Sequence, residues 1–128
     1  MKILVIEDNA SNMKFVTTVL EMDGYETLQS DNAENGIVIA KKEMPDLILM
    51  DILLPGLDGL TASGLLKNDK KTKDIPIIAM TSLAMKDDKE KIRTAGFDHY
   101  IIKPFHYKEF LETIKNILAK SNNQIDIS

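Results

Sequence analysis

Short, wholly apolar runs alternate along this chain with stretches in which apolar residues recur every three or four positions. Ile3-Leu4-Val5-Ile6, Leu47-Ile48-Leu49-Met50 and Ile77-Ile78-Ala79-Met80 leave no polar face for water. Such runs suit strands covered on both sides, as parallel strands are. Thr27-Leu28 gives a weaker second strand and Tyr100-Ile101-Ile102 a fifth; Pro76 sits at the start of the fourth, where a missing donor is tolerated. Met13, Val16, Val19 and Leu20 fall at helical spacing, and Gly24 supplies a stop. Further helices are predicted over Ala33–Met44 (closed by Pro45), Leu60–Leu66, Lys86–Ala95 (capped by Gly96) and Tyr107–Lys120. Five strand–helix units in succession predict an α/β fold. The expected architecture is a doubly wound five-stranded parallel sheet, order 2-1-3-4-5, with five helices. No repeat, linker or low-complexity stretch interrupts it. Residues 1–120 are therefore expected to form one domain, with 121–128 a frayed tail.

Composition narrows the function classes. The chain is 44% hydrophobic and 28% charged, which fits an ordinary globular domain. It has no Cys, which excludes disulfides and thiolate metal sites. No apolar run approaches the ~20 residues that span a bilayer, and MKILVIED makes a poor signal peptide because its short apolar stretch runs into two acids. A cytoplasmic protein is expected. The net charge of −4 argues against non-specific nucleic-acid binding. Charge is unevenly spread: residues 1–64 carry 4 Lys against 11 acids, and residues 65–128 carry 12 Lys and Arg against 9 acids. The basic stretch Lys67–Lys73 is interrupted by Asp69 and followed by Asp74, so it is read as a solvated helix end.

In doubly wound sheets ligands bind beyond the carboxyl ends of the strands, near the switch in strand order. The first strand runs into Glu7-Asp8, the third into Asp51, the fourth into Thr81 and the fifth into Lys103. Three carboxylates, a hydroxyl and an amine are thus brought to one edge. Carboxylates that close repel one another unless a cation joins them. Hard oxygen donors suit Mg²⁺, which keeps several waters and binds through one or two carboxylates plus phosphate. Asp51 could carry an acyl phosphate, Thr81 donate to a phosphoryl oxygen, and Lys103 neutralise one. Each residue also has a plainer reading. Glu7-Asp8 could cap a helix, a lone Asp often makes a turn, and a strand-end Thr often caps. It is their shared edge that favours the chemistry.

Asp8, Asp51 at the end of LILMD, Pro55 and Gly59, Thr81-Ser82 and Lys103-Pro104-Phe105 together resemble the bacterial response-regulator receiver family, of CheY-like, flavodoxin-like fold. The spacing of Thr81, Tyr100 and Lys103 fits that family too, and the resemblance spans residues 1 to about 120. EDNASNMKF, PDLILMDI and IIAMTSLAMK look most similar to its single-domain, DivK-like cell-cycle regulators. The resemblance implies that Asp51 is the phospho-acceptor and Asp8 a direct Mg²⁺ ligand. Glu7 is implied to act on the metal mainly through water, and the backbone carbonyl of Leu53 to complete the protein ligands. Thr81 and Lys103 would hold phosphoryl oxygens, with small Ser82 leaving room. Tyr100 would be the switch aromatic, and the Lys103–Pro104 bond would be cis. Glu at position 7, where many receivers have Asp, is compatible with a water-mediated contact.

These roles imply a phospho-switch in a two-component phosphorelay, served by a sensor histidine kinase or a histidine phosphotransfer protein and read by a downstream protein. With eight residues after position 120, output is expected through protein contact rather than DNA binding, and no membrane insertion is expected. Asn12, Phe15 and Phe105, or the fourth-helix/fifth-strand face, are candidate docking surfaces. A turnover phosphatase of the haloacid-dehalogenase type needs a second Asp two after the nucleophile; this chain has Leu53 there. A flavin module needs a Gly- or Ser/Thr-rich cradle that EDNASN lacks. Leu53 and Leu83, flanking the phosphoryl position, can neither orient nor deprotonate water, which implies a long-lived phospho-aspartate. His99 and His106 flank the fifth strand without a third ligand and are read as surface residues.

Overall fold

In the computed structural model, which describes residues 1–82, 86–104 and 106–127, strands and helices alternate. They are β1 (Lys2–Ile6), α1 (Ala10–Met22), β2 (Glu26–Ser30), α2 (Ala33–Glu43), β3 (Leu47–Asp51), α3 (Gly59–Lys67), β4 (Ile77–Thr81), α4 (Lys86–Thr94), β5 (His99–Ile102) and α5 (Tyr107–Ile127). The strands are all parallel, in the expected order β2-β1-β3-β4-β5. Successive side chains point to opposite faces of a strand, so each apolar run feeds two cores. Leu4, Ile6, Ile48, Met50, Ile77 and Ala79 meet Ala40, Ala62, Leu66, Ile92 and Phe97 on the side of α2, α3 and α4. Ile3, Val5, Leu47, Leu49, Ile78 and Met80 meet Val16, Leu20, Phe110, Ile114 and Leu118 of α1 and α5. Burying each of the larger of these side chains (Val, Leu, Ile, Met, Phe) contributes about 1.5–3 kcal/mol.

The elements differ from their expected bounds for local reasons. β2 runs well beyond Thr27-Leu28; it is an edge strand, half exposed, so most of it carries no continuous apolar signal. α2 ends at Glu43, and Met44 takes a left-handed conformation (φ 48°) before Pro45, which cannot continue a helix. The backbone of α5 continues past Lys120 to Ile127, since no Gly or Pro stands there to stop it.

Three connections leave the carboxyl edge of the sheet through the same device. Asn9, Asn32 and Asp58 accept hydrogen bonds from the amides of Asn12, Asn35 and Thr61 at 2.9, 2.8 and 2.8 Å, capping α1, α2 and α3.

At the opposite edge the Lys67–Lys73 stretch is more than a solvated helix end. The Lys67 ammonium donates to the carbonyls of Ile75 (2.9 Å) and Lys73 (3.3 Å) and to the Asp98 carboxylate (2.9 Å). The same Asp98 oxygen accepts from the Ile77 amide at 2.7 Å. Buried Thr72 donates to the Leu66 carbonyl, 2.6 Å away. Asp69 accepts from the Lys71 amide and pairs with Lys41, which together hold its carboxyl below the ordinary value. Asp69, which interrupts the basic run in sequence, therefore serves to lock the turn.

Candidate functional site

Parallel strands bring their carboxyl ends to one edge, and β1 and β3 are hydrogen-bonded neighbours. Glu7, Asp8 and Asp51 each bring a carboxylate oxygen within 4.8 Å of the others. Glu7 and Asp51 are buried, at 2% and 8% exposure, while Asp8 faces solvent. Capping does not employ these acids, because Asn9 caps α1. Instead the Glu7 carboxylate accepts from the Asn9 amide at 3.2 Å.

Lys103, just beyond β5, spans the cluster. Its Nζ donates to Glu7 Oε2 and to Asp51 Oδ2, each at 2.8 Å. The other Asp51 oxygen, Oδ1, accepts from the Leu53 amide at 2.9 Å. Both acceptor oxygens are therefore oriented. Burial pushes the Glu7 carboxyl upward, and the nearby Asp51 charge adds to this; hydrogen bonds from Lys103 and Asn9 offset it only partly. Burial also pulls on the Lys103 amine, downward, but its hydrogen bonds to Asp51 and Glu7 outweigh that and leave it raised. Three carboxyl groups share this space with a single ammonium, and the donors they offer are all hard oxygen. That set fits a divalent cation such as Mg²⁺.

The remaining expected site residues divide into two places. Thr81 ends β4 and is buried, and its carbonyl accepts from the Lys103 amide at 2.7 Å, so the two strand ends are joined beside Asp51. Ser82 follows, exposed. Tyr100 lies away from the carboxylates: it pairs with Ala79 in the β4–β5 ladder, two residues back from Thr81, and its half-exposed ring packs beside α4. The Lys103–Pro104 bond is cis, as expected. His99 and His106 are exposed and stack on Tyr100 and Tyr107, apart from the acids. Phe15 is 47% exposed and lines a groove with Asn12, Lys103 and Pro104. Leu83 and Phe105 lie outside the described residues.

Two contributions to the site escaped sequence reasoning. One is the Leu53 amide, since any residue there offers an N–H. The other is the part played by Gly59. A Cβ built on it would stand 2.7 Å from the Asp51 carbonyl oxygen and 2.8 Å from the Ile52 Cα. Only glycine lets the start of α3 approach the backbone of Asp51 and Ile52 so closely.

Residues 3–115 match the family model of the response regulator receiver domain. The chain belongs to the response-regulator receiver family. A relative from Brucella anthropi, the polar-differentiation response regulator DivK, is 44% identical over 117 residues, which is 91% of this chain and 95% of that protein. Among solved structures, a putative response regulator from Chloroflexus aurantiacus superposes with a TM-score of 0.88 at 31% identity, covering 92% of this chain and 97% of its own. The receiver domain of a sensor histidine kinase from Pseudomonas aeruginosa superposes at 0.86 with 30% identity and the same coverage, and holds a magnesium ion coordinated in its active-site cleft. This receiver is accordingly a signalling module of two-component systems, a family that works with histidine kinases and downstream targets. Among the described residues no helix is long and apolar enough to cross a membrane.

Proposed function

We propose that this receiver accepts a phosphoryl group on Asp51 from a histidine kinase or a histidine phosphotransfer protein, and signals by phosphorylation-dependent protein binding without turnover catalysis. The observation that carries the proposal is the Asp51 carboxylate, oriented by the Leu53 amide and by Lys103 within a cluster of three acids. Glu7, Asp8, Asp51 and the Leu53 carbonyl would hold Mg²⁺, with Glu7 acting mainly through water. When bound, that ion supplies charge neutralisation for the phosphoryl oxygens. An Asp51 oxygen attacks phosphorus, the phosphohistidine nitrogen departs, and an acyl phosphate remains. Lys103 is placed to leave its carboxylate partners for the new phosphoryl oxygens. The Thr81 hydroxyl donates to the same group, Ser82 leaves space for it, and Tyr100 turns inward to follow Thr81.

Leu53 offers no acid or base two residues after the acceptor, which speaks against a hydrolase. The groove of Asn12, Phe15, Lys103 and Pro104 adjoins the site and suits the phosphodonor's approach. Likeness to a polar-differentiation regulator supports a role in the cell cycle, and we infer that the protein works in the cytoplasm. Asp51→Asn decides the central point. A carboxamide cannot become an acyl phosphate, so intact-mass spectrometry after acetyl phosphate and Mg²⁺ should find the phosphate adduct on the wild type alone. Equal adducts on both would place the acceptor elsewhere.

A further inference from the structure

The surroundings of Tyr100 include a cation that no role above employs. Lys89 of α4 places its ammonium 5.8 Å from the centre of the Tyr100 ring. That lies within the ~6 Å over which a cation is drawn to an aromatic face. The neighbouring His99 ring lies 5.9 Å from Tyr100, with the ring planes 21° apart. The helix that carries Lys89 is tied down at its far end. The amides of Gly96 and Phe97 close it on the Arg93 and Ile92 carbonyls, at 3.1 and 3.3 Å, and the Asp98 amide bonds the Ile77 carbonyl at 2.8 Å. Lys67 grips the Asp98 carboxylate, while Ile92 and Phe97 are buried beneath. Lys89 thus stands on a helix anchored to the strand pair that bears Tyr100.

We propose that Lys89 is a positioning residue: it holds Tyr100 in its half-exposed resting place and so sets how readily the Asp51 site switches. The proposal rests on the reading of Tyr100 as the switch aromatic. Turning the ring toward Thr81 carries it away from the ammonium, so the contact stabilises the resting state only. A contact made in one state alone shifts the equilibrium by its full strength, and it lowers apparent affinity for any ligand of the other state by the same factor. For an exposed cation–π contact that factor is about two- to fivefold. Lys89 is exposed, so its replacement should leave the fold intact.

The test uses the full chain with 3-fluorotyrosine at its three tyrosines, Tyr25 and Tyr107 serving as references. Beryllofluoride with Mg²⁺ is the phosphoryl mimic, and fluorine NMR follows Tyr100 through the titration. Lys89→Gln should load at about two- to fivefold lower beryllofluoride than wild type, with its unloaded Tyr100 resonance displaced toward the loaded position. Lys89→Arg, which keeps the cation, should match wild type. So should Lys91→Gln, which makes the same charge change at an exposed neighbour on α4. Wild-type loading by Lys89→Gln, or an equal gain in Lys91→Gln, would overturn the proposal while leaving the Asp51 reading intact. A Tyr100 resonance unmoved by loading in the wild type would remove Tyr100 from the switch, and Lys89 with it.

Discussion

Leu53 meets Asp51 through its backbone and solvent through its side chain. Its amide fixes Asp51 Oδ1, while its side chain stands 61% exposed. An apolar group there can neither orient nor deprotonate a water molecule, and beside a phosphorylated Asp51 its bulk would hinder water on the in-line path. The phospho-aspartate should therefore be long-lived, lost chiefly by back-transfer to a kinase or phosphotransfer partner. Leu53→Asn supplies a group that can position water. We expect its purified phosphoprotein to decay several-fold faster, given that about 1.4 kcal/mol of barrier is worth tenfold. Decay at the wild-type rate in both Leu53→Asn and Leu83→Glu would show that neither side chain governs hydrolysis. At this scale the acids, Thr81 and Lys103 were legible because each is a polar residue ending an apolar run. The Leu53 amide was not, since backbone donors leave no trace in side-chain identity.

Among the elements, α3 shows how closely the site depends on one helix start. Its first residue, Gly59, donates its amide to the Ile52 carbonyl at 3.1 Å, and a methyl group there would strike the backbone of Asp51 and Ile52. Backbone cannot yield as a flexible side chain can. Gly59→Ala should thus cost about 1–3 kcal/mol, in the range of overpacked cores, and slow labelling by acetyl phosphate as Asp51 shifts. A thermal midpoint and labelling rate equal to wild type would mean that the loop accommodates the methyl without moving the acceptor. The central strands are readable from sequence because β1, β3 and β4 are buried on both faces and so apolar but for a polar residue at one end. β2 was faint, having a neighbour on one side only. The hold of Lys67 on Asp98 is not legible in sequence because the two lie 31 positions apart, while the exposed Lys70, Lys71 and Lys73 fit a solvated helix end.

For the molecule as a whole, the site is a place where folding and charge oppose each other. Glu7 is ionised with difficulty, mainly because it is buried and then because Asp51 is near. Its folded value lies above the ordinary 4.5, so the folded state binds its proton more tightly than the unfolded chain does. Its contribution to stability is fully present below pH 4.5 and is lost as pH rises through the raised folded value. The metal-free receiver should therefore gain stability from this group on mild acidification from neutrality. Lys103, also raised, contributes in full throughout that window, since its contribution fades only above 10.5. Glu7→Gln keeps an oxygen acceptor without the charge. It should raise the metal-free thermal midpoint at pH 7 and flatten its slope toward pH 5. Magnesium held by the folded state alone would act in the opposite sense, adding about 2.7 kcal/mol at a hundredfold excess over its Kd. Bound there it would also keep Glu7 ionised, so the gain on acidification should vanish with Mg²⁺ in the wild type. Thermal melts of both proteins at pH 5 and 7, with and without Mg²⁺, test this. A metal-free wild type that is no more stabilised at pH 5, relative to pH 7, than Glu7→Gln would show that Glu7 carries no burial penalty.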